Sequence, residues 1–247
     1  MATNTYSTDL ESTSSQFWSH ADNAVLSFTG DFTFEIWVKP ESITTTHYLI
    51  SKDDSGGGDR GYGFRLNSDG TATCLYFDGN TFPTNQTLVN TDAAIATAGT
   101  WTHIAVSVDV STGAMVFYKD GSSVASTAVR TNATSVRDSA APFQIGAVES
   151  GQFFDGLIDE VRIWNDIRTS GEISSNYDTE LNGDEAGLIG YWKFNNDGTD
   201  STSNGNDLTN NNSATFSTDV PFTGGGGGGT TTKDLSWQWD QWSNTSK

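Results

Sequence analysis

The stretch FDGLIDEVRIW, residues 154–164, combines a strand-like apolar pattern with two carboxylates, and the rest of the chain is interpreted around it. With the two-residue period of a β-strand, Leu157, Asp159 and Val161 share one face. Asp159 is therefore predicted to lie in an apolar row. A carboxylate in such a row is costly unless it is hydrogen-bonded, paired with a cation or bound to a metal ion.

Strand patterns of the same kind recur on both sides of this stretch. Phe32, Phe34 and Ile36 alternate with other residues in FTFEIWVK, and Pro40 ends that strand. Short strands with polar, glycine-rich turns predict an all-β chain, an antiparallel β-sandwich or jelly roll. The predicted strands are residues 32–39, 48–52, 62–66, 71–77, 101–109, 115–119, 123–126, 143–147, 154–164 and 188–194, with one or two more in 5–30. Residues 78–98 are interpreted as a long polar loop.

Local signals predict one turn, one helix and one surface ion pair. Asp120-Gly121 is a strong two-residue hairpin turn, because both residues tolerate positive φ. The form Thr-x-x-Glu at residues 169–172 is a capping box and predicts one short helix over 170–177. Glu160 and Arg162, two residues apart on one face of the central strand, predict a weak surface pair.

Composition predicts one main domain, residues 1–223. The 247 residues include 14 Phe and 8 Trp, enough for a sizeable core. A net charge of −19 disfavours nucleic acid and anionic membrane surfaces as partners. No apolar run reaches the roughly 18 residues of a membrane span, and the N-terminus has no recognisable signal peptide. The single cysteine, Cys74, excludes an internal disulfide framework.

Six consecutive glycines, residues 224–229, read as a flexible linker. The following segment, residues 230–247, contains Trp237, Trp239 and Trp242 but is too short to form a core around them. Large aromatic residues dominate protein interfaces and are costly to leave in water. We therefore expect an extended C-terminal tail that docks onto a larger protein assembly.

Five segments in a fixed order resemble a known family. They are TGDFTFEIWVKP (29–40), TWTHIAVSVD (100–109), FYKDG (117–121), FDGLIDEVRIWNDIRTSGEI (154–173) and GLIGYWKFNNDGTDSTSNGNDL (187–208). Together they are similar to the laminin-G-like, pentraxin-like jelly rolls of the concanavalin A-like lectin/glucanase superfamily, over about residues 5–222. The resemblance implies two antiparallel sheets of six or seven strands each, often with bound calcium.

Calcium is the expected cofactor, because the chain is acidic and calcium prefers oxygen ligands. The resemblance suggests a site near the central strand, with Asp159 as the first candidate ligand and Asp31, in the turn before the 32–39 strand, as the second. The alternatives are a hydrogen-bonded buried carboxylate at Asp159 and a plain turn residue at Asp31. The loop 53–59 is a weaker calcium candidate without EF-hand spacing.

A glycan site would need exposed aromatic side chains beside polar loop groups. Trp18, Tyr62, Phe82 and Phe153 lie near predicted loops and are the candidate ligand-binding residues. The alternative for each of them is packing in the core or against a loop.

Catalysis is not expected. The hydrolases of the superfamily resemble one another in a Glu-x-Asp-x-x-Glu strand, and this chain has no such strand. Its histidines, His20, His47 and His103, fall on unrelated segments, so no Ser-His-Asp arrangement follows from the sequence.

The sequence therefore predicts a non-enzymatic structural or adhesive module, stabilised by calcium and attached through its tail to a larger assembly such as a virion or phage surface. An extracellular or virion-surface location is expected. One alternative is a soluble, calcium-dependent, glycan-binding lectin-like domain. A more remote alternative is a polysaccharide-active enzyme.

Overall fold

The structure, a computed structural model, describes residues 4–54, 56–149 and 151–223. The linker 224–229 and the tail with Trp237, Trp239 and Trp242 lie outside these residues. Within them the strands are β1 (Ser7–Leu10), β2 (Phe17–His20), β3 (Phe32–Pro40), β4 (His47–Asp54), β5 (Asp59–Leu66), β6 (Ala72–Phe77), β7 (Gln86–Thr91), β8 (Thr102–Asp109), β9 (Ala114–Lys119), β10 (Ser122–Val124), β11 (Ser126–Thr131), β12 (Phe143–Ile145), β13 (Gly156–Trp164), β14 (Leu188–Trp192), β15 (Thr209–Asn211) and β16 (Thr215–Ser217). A 3-10 helix (Ser12–Ser14) and an α-helix, α1 (Ser170–Asn176), complete the regular structure of this part of the chain.

These strands form two antiparallel sheets, which confirms the predicted sandwich. Sheet A has the order β10-β9-β8-β3-β13-β1-β16, and β14 pairs with the second half of β13. Sheet B has the order β11-β7-β6-β5-β4-β12-β2-β15. Each sheet contains eight strands of the described chain, more than the six or seven that the resemblance implied.

Three described strands of sheet B, and β16 of sheet A, are missing from the sequence prediction. β7 lies inside the predicted loop 78–98, β11 follows the predicted hairpin arm, and β15 and β16 come after the last predicted strand. β11 is an edge strand that is largely exposed on both faces, so it has no apolar alternation to identify it. In β7 the apolar residues are Leu88 and Val89, which are adjacent and again break the alternation.

The core lies between the sheets. Phe32, Phe34, Ile36 and Val38 of β3 point into it and are fully buried, as the alternation predicted. β5 and β6 close the core from sheet B, and Cys74 of β6 lies in it as a small buried hydrophobe. Burial raises the pKa of the Cys74 thiol.

Helix α1 and the segment after it cover the outer face of sheet A. The capping box is present: the Glu172 N–H donates to Thr169 Oγ1, and the Thr169 N–H donates to Glu172 Oε2 at 2.8 Å. Ile173 of α1 packs on Ala105 and Tyr118 of this face. In the described part of the chain, no helix has the length and hydropathy needed to cross a membrane.

A β-bulge in β13 corrects the prediction for Asp159. Asp159 pairs with Trp37 and Arg162 with Glu35, so two residues of β13 stand opposite one residue of β3, and Glu160 adopts a φ of 51°. Val161 and Ile163 therefore face the core, whereas Asp159 lies on the outer face of sheet A. The prediction that Asp159 shares a face with Val161 was wrong, because one extra residue reverses the alternation.

Candidate functional site

A polar cleft lies on the outer face of sheet B, where β4 and β5 meet the loop between β12 and β13. We call it the β4–β5 cleft. Its volume is about 360 Å³, and it adjoins a second depression of about 320 Å³ with which it shares Asp53 and Glu149. The cleft is lined by Tyr48, Asp53, Arg60, Arg65, Val148, Glu149, Gly151 and Gln152.

The floor of the cleft is a cross-strand pair, Tyr48 of β4 and Arg65 of β5. The Tyr48 ring lies over Gly63, since a Cβ atom at that glycine would stand 2.7 Å from Tyr48 Cε1. Tyr48 is only 5% exposed, and burial raises the pKa of its hydroxyl. The Arg65 guanidinium carbon lies 5.7 Å from the centre of the Tyr48 ring. The glycine thus leaves space for an aromatic ring laid along the sheet.

One wall of the cleft is a partly buried ion pair. Arg60 donates from Nε and from one terminal nitrogen to the two oxygens of Asp53, at 3.0 and 2.8 Å, and its guanidinium also lies 4.0 Å above the Phe77 ring. Burial raises the pKa of the Asp53 carboxyl; Arg60 opposes this rise and Glu149 adds to it. Both oxygens of Asp53 therefore accept hydrogen bonds from Arg60.

The other wall is formed by Val148, Glu149, Gly151 and Gln152. The Val148 and Gly151 N–H groups donate to each other's carbonyl oxygens, and the Tyr48 N–H donates to the Gln152 carbonyl oxygen at 3.2 Å. Glu149 and Gln152 have φ values of 52° and 47°. Left-handed backbone at non-glycine residues costs on the order of 1–3 kcal/mol and concentrates at ligand-binding sites. The backbone of these residues therefore holds two polar side chains at the cleft in a conformation that local preference alone would not select.

The histidines do not contribute to this cleft. His47 Nδ1 lies 2.8 Å from the Phe153 carbonyl oxygen, and His103, 1% exposed, lies beneath α1 with its Nε2 3.3 Å from Glu35 Oε2.

The cleft combines an aromatic ring, a guanidinium, an amide and carboxylates. This set suits hydrogen bonding to a polar ligand.

Asp159 and Asp31, the two candidate calcium ligands, are far apart. Asp31 precedes the first residue of β3, whereas Asp159 pairs with Trp37, six residues further along the same strand, or about 20 Å. Asp31 accepts a hydrogen bond from the Val110 N–H at 2.8 Å. The two carboxylates therefore cannot share one ion.

Asp159 is fully buried and has other polar side chains nearby. It accepts hydrogen bonds from Asn4 Nδ2 at 2.7 Å and from the Glu160 N–H at 2.9 Å. Burial, with Glu160 and Glu180 nearby, raises the pKa of Asp159 well above its usual range. Buried oxygens of Asn4, Glu160 and Glu180 have no hydrogen-bond partner within the described chain. An excess of buried oxygen donors fits a hard cation such as calcium, and a proton on Asp159 is the alternative.

A cluster of three carboxylates escaped the sequence prediction. The carboxylates of Asp9, Glu11 and Glu41 come within 4.8 Å of one another near the ends of β1 and β3. Burial and the nearby Asp155 raise the pKa of Asp9. The three residues are up to 32 positions apart, so no local sequence motif predicts the cluster.

Two of the predicted ligand-binding aromatics point into the core instead. Trp18 is 3% exposed and donates from Nε1 to Thr8 Oγ1 at 2.8 Å. Tyr62 is 1% exposed and donates its hydroxyl to the Leu26 carbonyl oxygen at 2.9 Å. The alternative given for each candidate, packing in the core, therefore holds for Trp18 and Tyr62, because their strands turn them towards the opposite sheet.

The other two aromatics lie at the surface or close to it. Phe82 is 56% exposed, and the Arg130 guanidinium lies 5.1 Å from its ring centre. Phe153 is half-buried against Phe17, with ring centres 5.9 Å apart. Phe82 and Phe153 do not line the β4–β5 cleft. The cleft residues themselves come from segments about a hundred positions apart, and the loop 53–59 was their one sequence signal.

Known structures share this architecture. A candidate carbohydrate-binding protein from Bacteroides ovatus ATCC 8483 superposes with a TM-score of 0.65 at 17% identity, covering 86% of this chain and 59% of its own length. A native heptameric SAP-like pentraxin from Limulus polyphemus has a TM-score of 0.60 at 14% identity, covering 86% and 94%. The CBM40 of a Ruminococcus gnavus IT-sialidase, bound to α2,3-sialyllactose, has a TM-score of 0.53 at 13% identity, covering 70% and 98%.

At these identities the likeness shows a shared fold, and this chain spans 59% of the Bacteroides ovatus protein's length. A laminin G family model described as the concanavalin A-like lectin/glucanases superfamily matches residues 12–174, which is more than half of the 247 residues. The chain therefore belongs to the concanavalin A-like lectin/glucanases superfamily.

Proposed function

We propose that this chain is a non-catalytic, lectin-like module that binds a glycan in the β4–β5 cleft. The carrying observation is the convergence of Tyr48, Arg65 and Gln152 on one polar cleft of about 360 Å³. A site of this kind offers directed hydrogen bonds to the hydroxyl groups of a sugar. The Bacteroides ovatus and Ruminococcus gnavus proteins, described as carbohydrate-binding, support the proposal by likeness of fold.

The non-catalytic part of the proposal rests on Asp53, one of the two carboxylates of the cleft. Glycoside hydrolysis uses two carboxyl groups that flank the scissile bond, one of them free to transfer a proton. Both oxygens of Asp53 accept hydrogen bonds from Arg60, which leaves this carboxylate poorly placed to act as that acid or base. Release of reducing ends from a polysaccharide panel would contradict a purely binding role.

A glycan array probed with the full chain tests the proposal, and the variant Gln152→Gly sharpens the test. Glycine adopts the left-handed backbone of this position freely, so the substitution removes the amide without adding strain. Ser213→Gly is the matched control, since Ser213 also has a positive φ, 61°, and is exposed outside the cleft. We expect Gln152→Gly to weaken glycan binding roughly tenfold and Ser213→Gly to leave it unchanged. Absence of binding to any glycan would contradict the proposal.

Calcium is proposed as a structural cofactor at Asp159, with Asn4, Glu160 and Glu180 as the further donors. The carboxylates of Asp159, Glu160 and Glu180 do not all lie within 4.8 Å of one another in the described chain, so they would have to draw together around the ion. The unpartnered buried oxygens of Asn4, Glu160 and Glu180 support the proposal, because calcium takes six to eight oxygen ligands. Calcium should raise the midpoint of thermal unfolding relative to a chelator in the native chain but not in Asp159→Asn. Asp31→Asn should keep the shift. Equal unfolding of the native chain with calcium and with chelator would contradict the proposal.

Attachment of the module through its tail, at an extracellular or virion surface, remains a second proposal that rests on the sequence. Trp237, Trp239 and Trp242 follow the six-glycine linker, and large aromatics are the usual anchors of interfaces. The test compares the full chain with a chain ending at residue 223 in the native assembly. Incorporation that is unaffected by the truncation would contradict it.

A further inference from the structure

Two arginines of sheet B form no ion pair with any carboxylate of the described residues, although the chain is strongly acidic. The net charge is −19, with 31 acidic residues against 12 basic ones. Among the lysines and arginines that the structure describes, all but three have a described carboxylate within 4.0 Å. The three exceptions are Arg65, Lys119 and Arg130. Carboxylates are abundant in this chain, so it is unexpected that two arginines of one sheet have no carboxylate partner among the described residues. A negatively charged ligand that binds these arginines would explain it.

Arg65 and Arg130 lie on the same face of that sheet. Arg130 of β11 stands opposite Leu88 of β7, and Leu88 stands opposite Leu75 of β6. Leu75 and Leu88 form an apolar cluster separate from the core between the sheets, so this row points outwards. Arg65 also points outwards, because it is a partner of Tyr48 and lines the β4–β5 cleft. Three strand spacings and a two-residue offset place their Cα atoms about 16 Å apart.

Neutral groups hold both guanidiniums without cancelling their charge. Arg130 donates to Gln86 Oε1 at 2.8 Å and lies against the exposed Phe82 ring. Arg65 lies against the Tyr48 ring, and its buried Nε has no hydrogen-bond acceptor within the described chain. By contrast, Arg60 on the same face is neutralised by Asp53. Each unpaired arginine thus stands beside an aromatic ring, one in the cleft and one at the sheet edge.

We propose that the glycan bound on this face is an anionic oligosaccharide whose carboxylate or sulfate groups contact Arg65 and Arg130. The inference rests on the proposed glycan-binding function and names its ligand class. A guanidinium presents paired N–H donors that match the geometry of a carboxylate or sulfate. The spacing of the two arginines requires a chain of several sugars, running from the β4–β5 cleft to Phe82. Asp53 and Glu149 line the same cleft as Arg65, but Asp53 is paired with Arg60, so one anionic group of the ligand is placed at Arg65 and the other at Arg130.

The test is calorimetric titration of the full chain with three oligosaccharides of matched length: neutral cellohexaose, carboxylated hexagalacturonate and a sulfated heparin hexasaccharide. Arg65→Gln and Arg130→Gln should each weaken binding of the preferred anionic ligand roughly tenfold to hundredfold. Lys119→Gln is the matched control, since it removes one unpaired charge from sheet A and should leave binding unchanged. Comparing the affinity for hexagalacturonate with that for the heparin hexasaccharide shows whether the protein prefers carboxylate or sulfate groups. Arg65→Lys and Arg130→Lys, which keep the charge but lose the paired donors, should weaken binding less.

The outcomes separate this inference from the function on which it rests. Equal binding of the neutral and anionic oligosaccharides overturns the anionic ligand and leaves a glycan-binding module. Equal losses from Lys119→Gln and the two arginine variants overturn the assigned surface. A single-stranded DNA hexamer that binds as tightly as the anionic glycans overturns the glycan as ligand. No binding of any glycan overturns both proposals.

Discussion

Arg162 donates from its guanidinium to Glu160 Oε2 across 2.8 Å, and neither side chain is more than 1% exposed. Glu160 occupies the bulge of β13, and Tyr191 donates its hydroxyl to the same oxygen at 2.6 Å. Arg162 also donates to the carbonyl oxygens of Asn176, the last residue of α1, and of Thr179, which follows the helix. The sequence predicted a weak surface pair here. The pair instead ties the segment after α1 to the outer face of sheet A.

Removing the guanidinium should destabilise the fold strongly. Arg162→Met leaves Glu160 buried without its cation, which costs about 3–5 kcal/mol of unfolding free energy. Guanidinium chloride unfolding measures this loss. Lys39→Met is the control: Lys39 pairs with Asp219 at the surface, with side chains 27% and 44% exposed, and its loss should cost at most about 1 kcal/mol. Equal losses in the two variants would contradict the structural role of the buried pair.

In the absence of calcium, ionisation of Asp159 should lower the free energy of unfolding as the pH rises. Because burial raises the pKa of Asp159 in the folded state, the folded chain holds this proton more tightly than the unfolded chain does. Its contribution is therefore complete below the unfolded pKa, near 3.9, and is lost as the pH rises towards the folded pKa. Asp159→Asn cannot ionise. Its unfolding free energy in a chelator should decline less than that of the native chain from about pH 4 upwards. Parallel profiles would argue against a raised pKa.

Gly63 should be required for the position of the Tyr48 ring. In Gly63→Ala the new Cβ atom would stand 2.7 Å from Tyr48 Cε1, so the ring must move into the cleft. The affected atom belongs to the far part of a side chain, so we expect a stability change of about 1–3 kcal/mol at most and a clear loss of glycan binding. Gly30→Ala is the control, because a Cβ atom there meets no atom within 4 Å. Unchanged binding by Gly63→Ala would show that the ring position does not matter.

Substitutions at Tyr62 and Phe82 should have opposite effects: the first should lower stability and the second should weaken glycan binding. Tyr62→Phe removes the buried hydrogen bond to the Leu26 carbonyl oxygen and should cost about 1–3 kcal/mol of stability while leaving glycan binding intact. Phe82→Ala removes a ring that is 56% exposed and should change stability by at most about 0.5 kcal/mol. It should weaken binding of the anionic oligosaccharide through Arg130. Thermal unfolding and calorimetric titration of both variants check this pair of expectations, and a large stability loss in Phe82→Ala would oppose it.

The sequence by itself determined the elements whose signals are local. The alternation in β3, the hairpin turn at Asp120-Gly121 and the capping box at Thr169 and Glu172 all appear in the structure at the predicted places. Each signal acts through neighbouring residues, by side-chain alternation or by a backbone hydrogen bond over three positions. The order of the five family segments then identified the sandwich.

Only the tertiary structure decided which surfaces are buried and where the cleft forms. The bulge at Glu160 reversed the side on which Asp159 lies, and α1 buried the outer face that had been read as solvent-exposed. Both effects depend on a partner strand or a covering segment, which the alternation within one strand does not encode. The β4–β5 cleft also depends on contacts between distant segments, because Arg65 and Gln152 line one cleft only when Gln152 packs against β4 through the Tyr48 hydrogen bond. Contacts between residues so distant in sequence form through packing, and packing is a property of the folded chain.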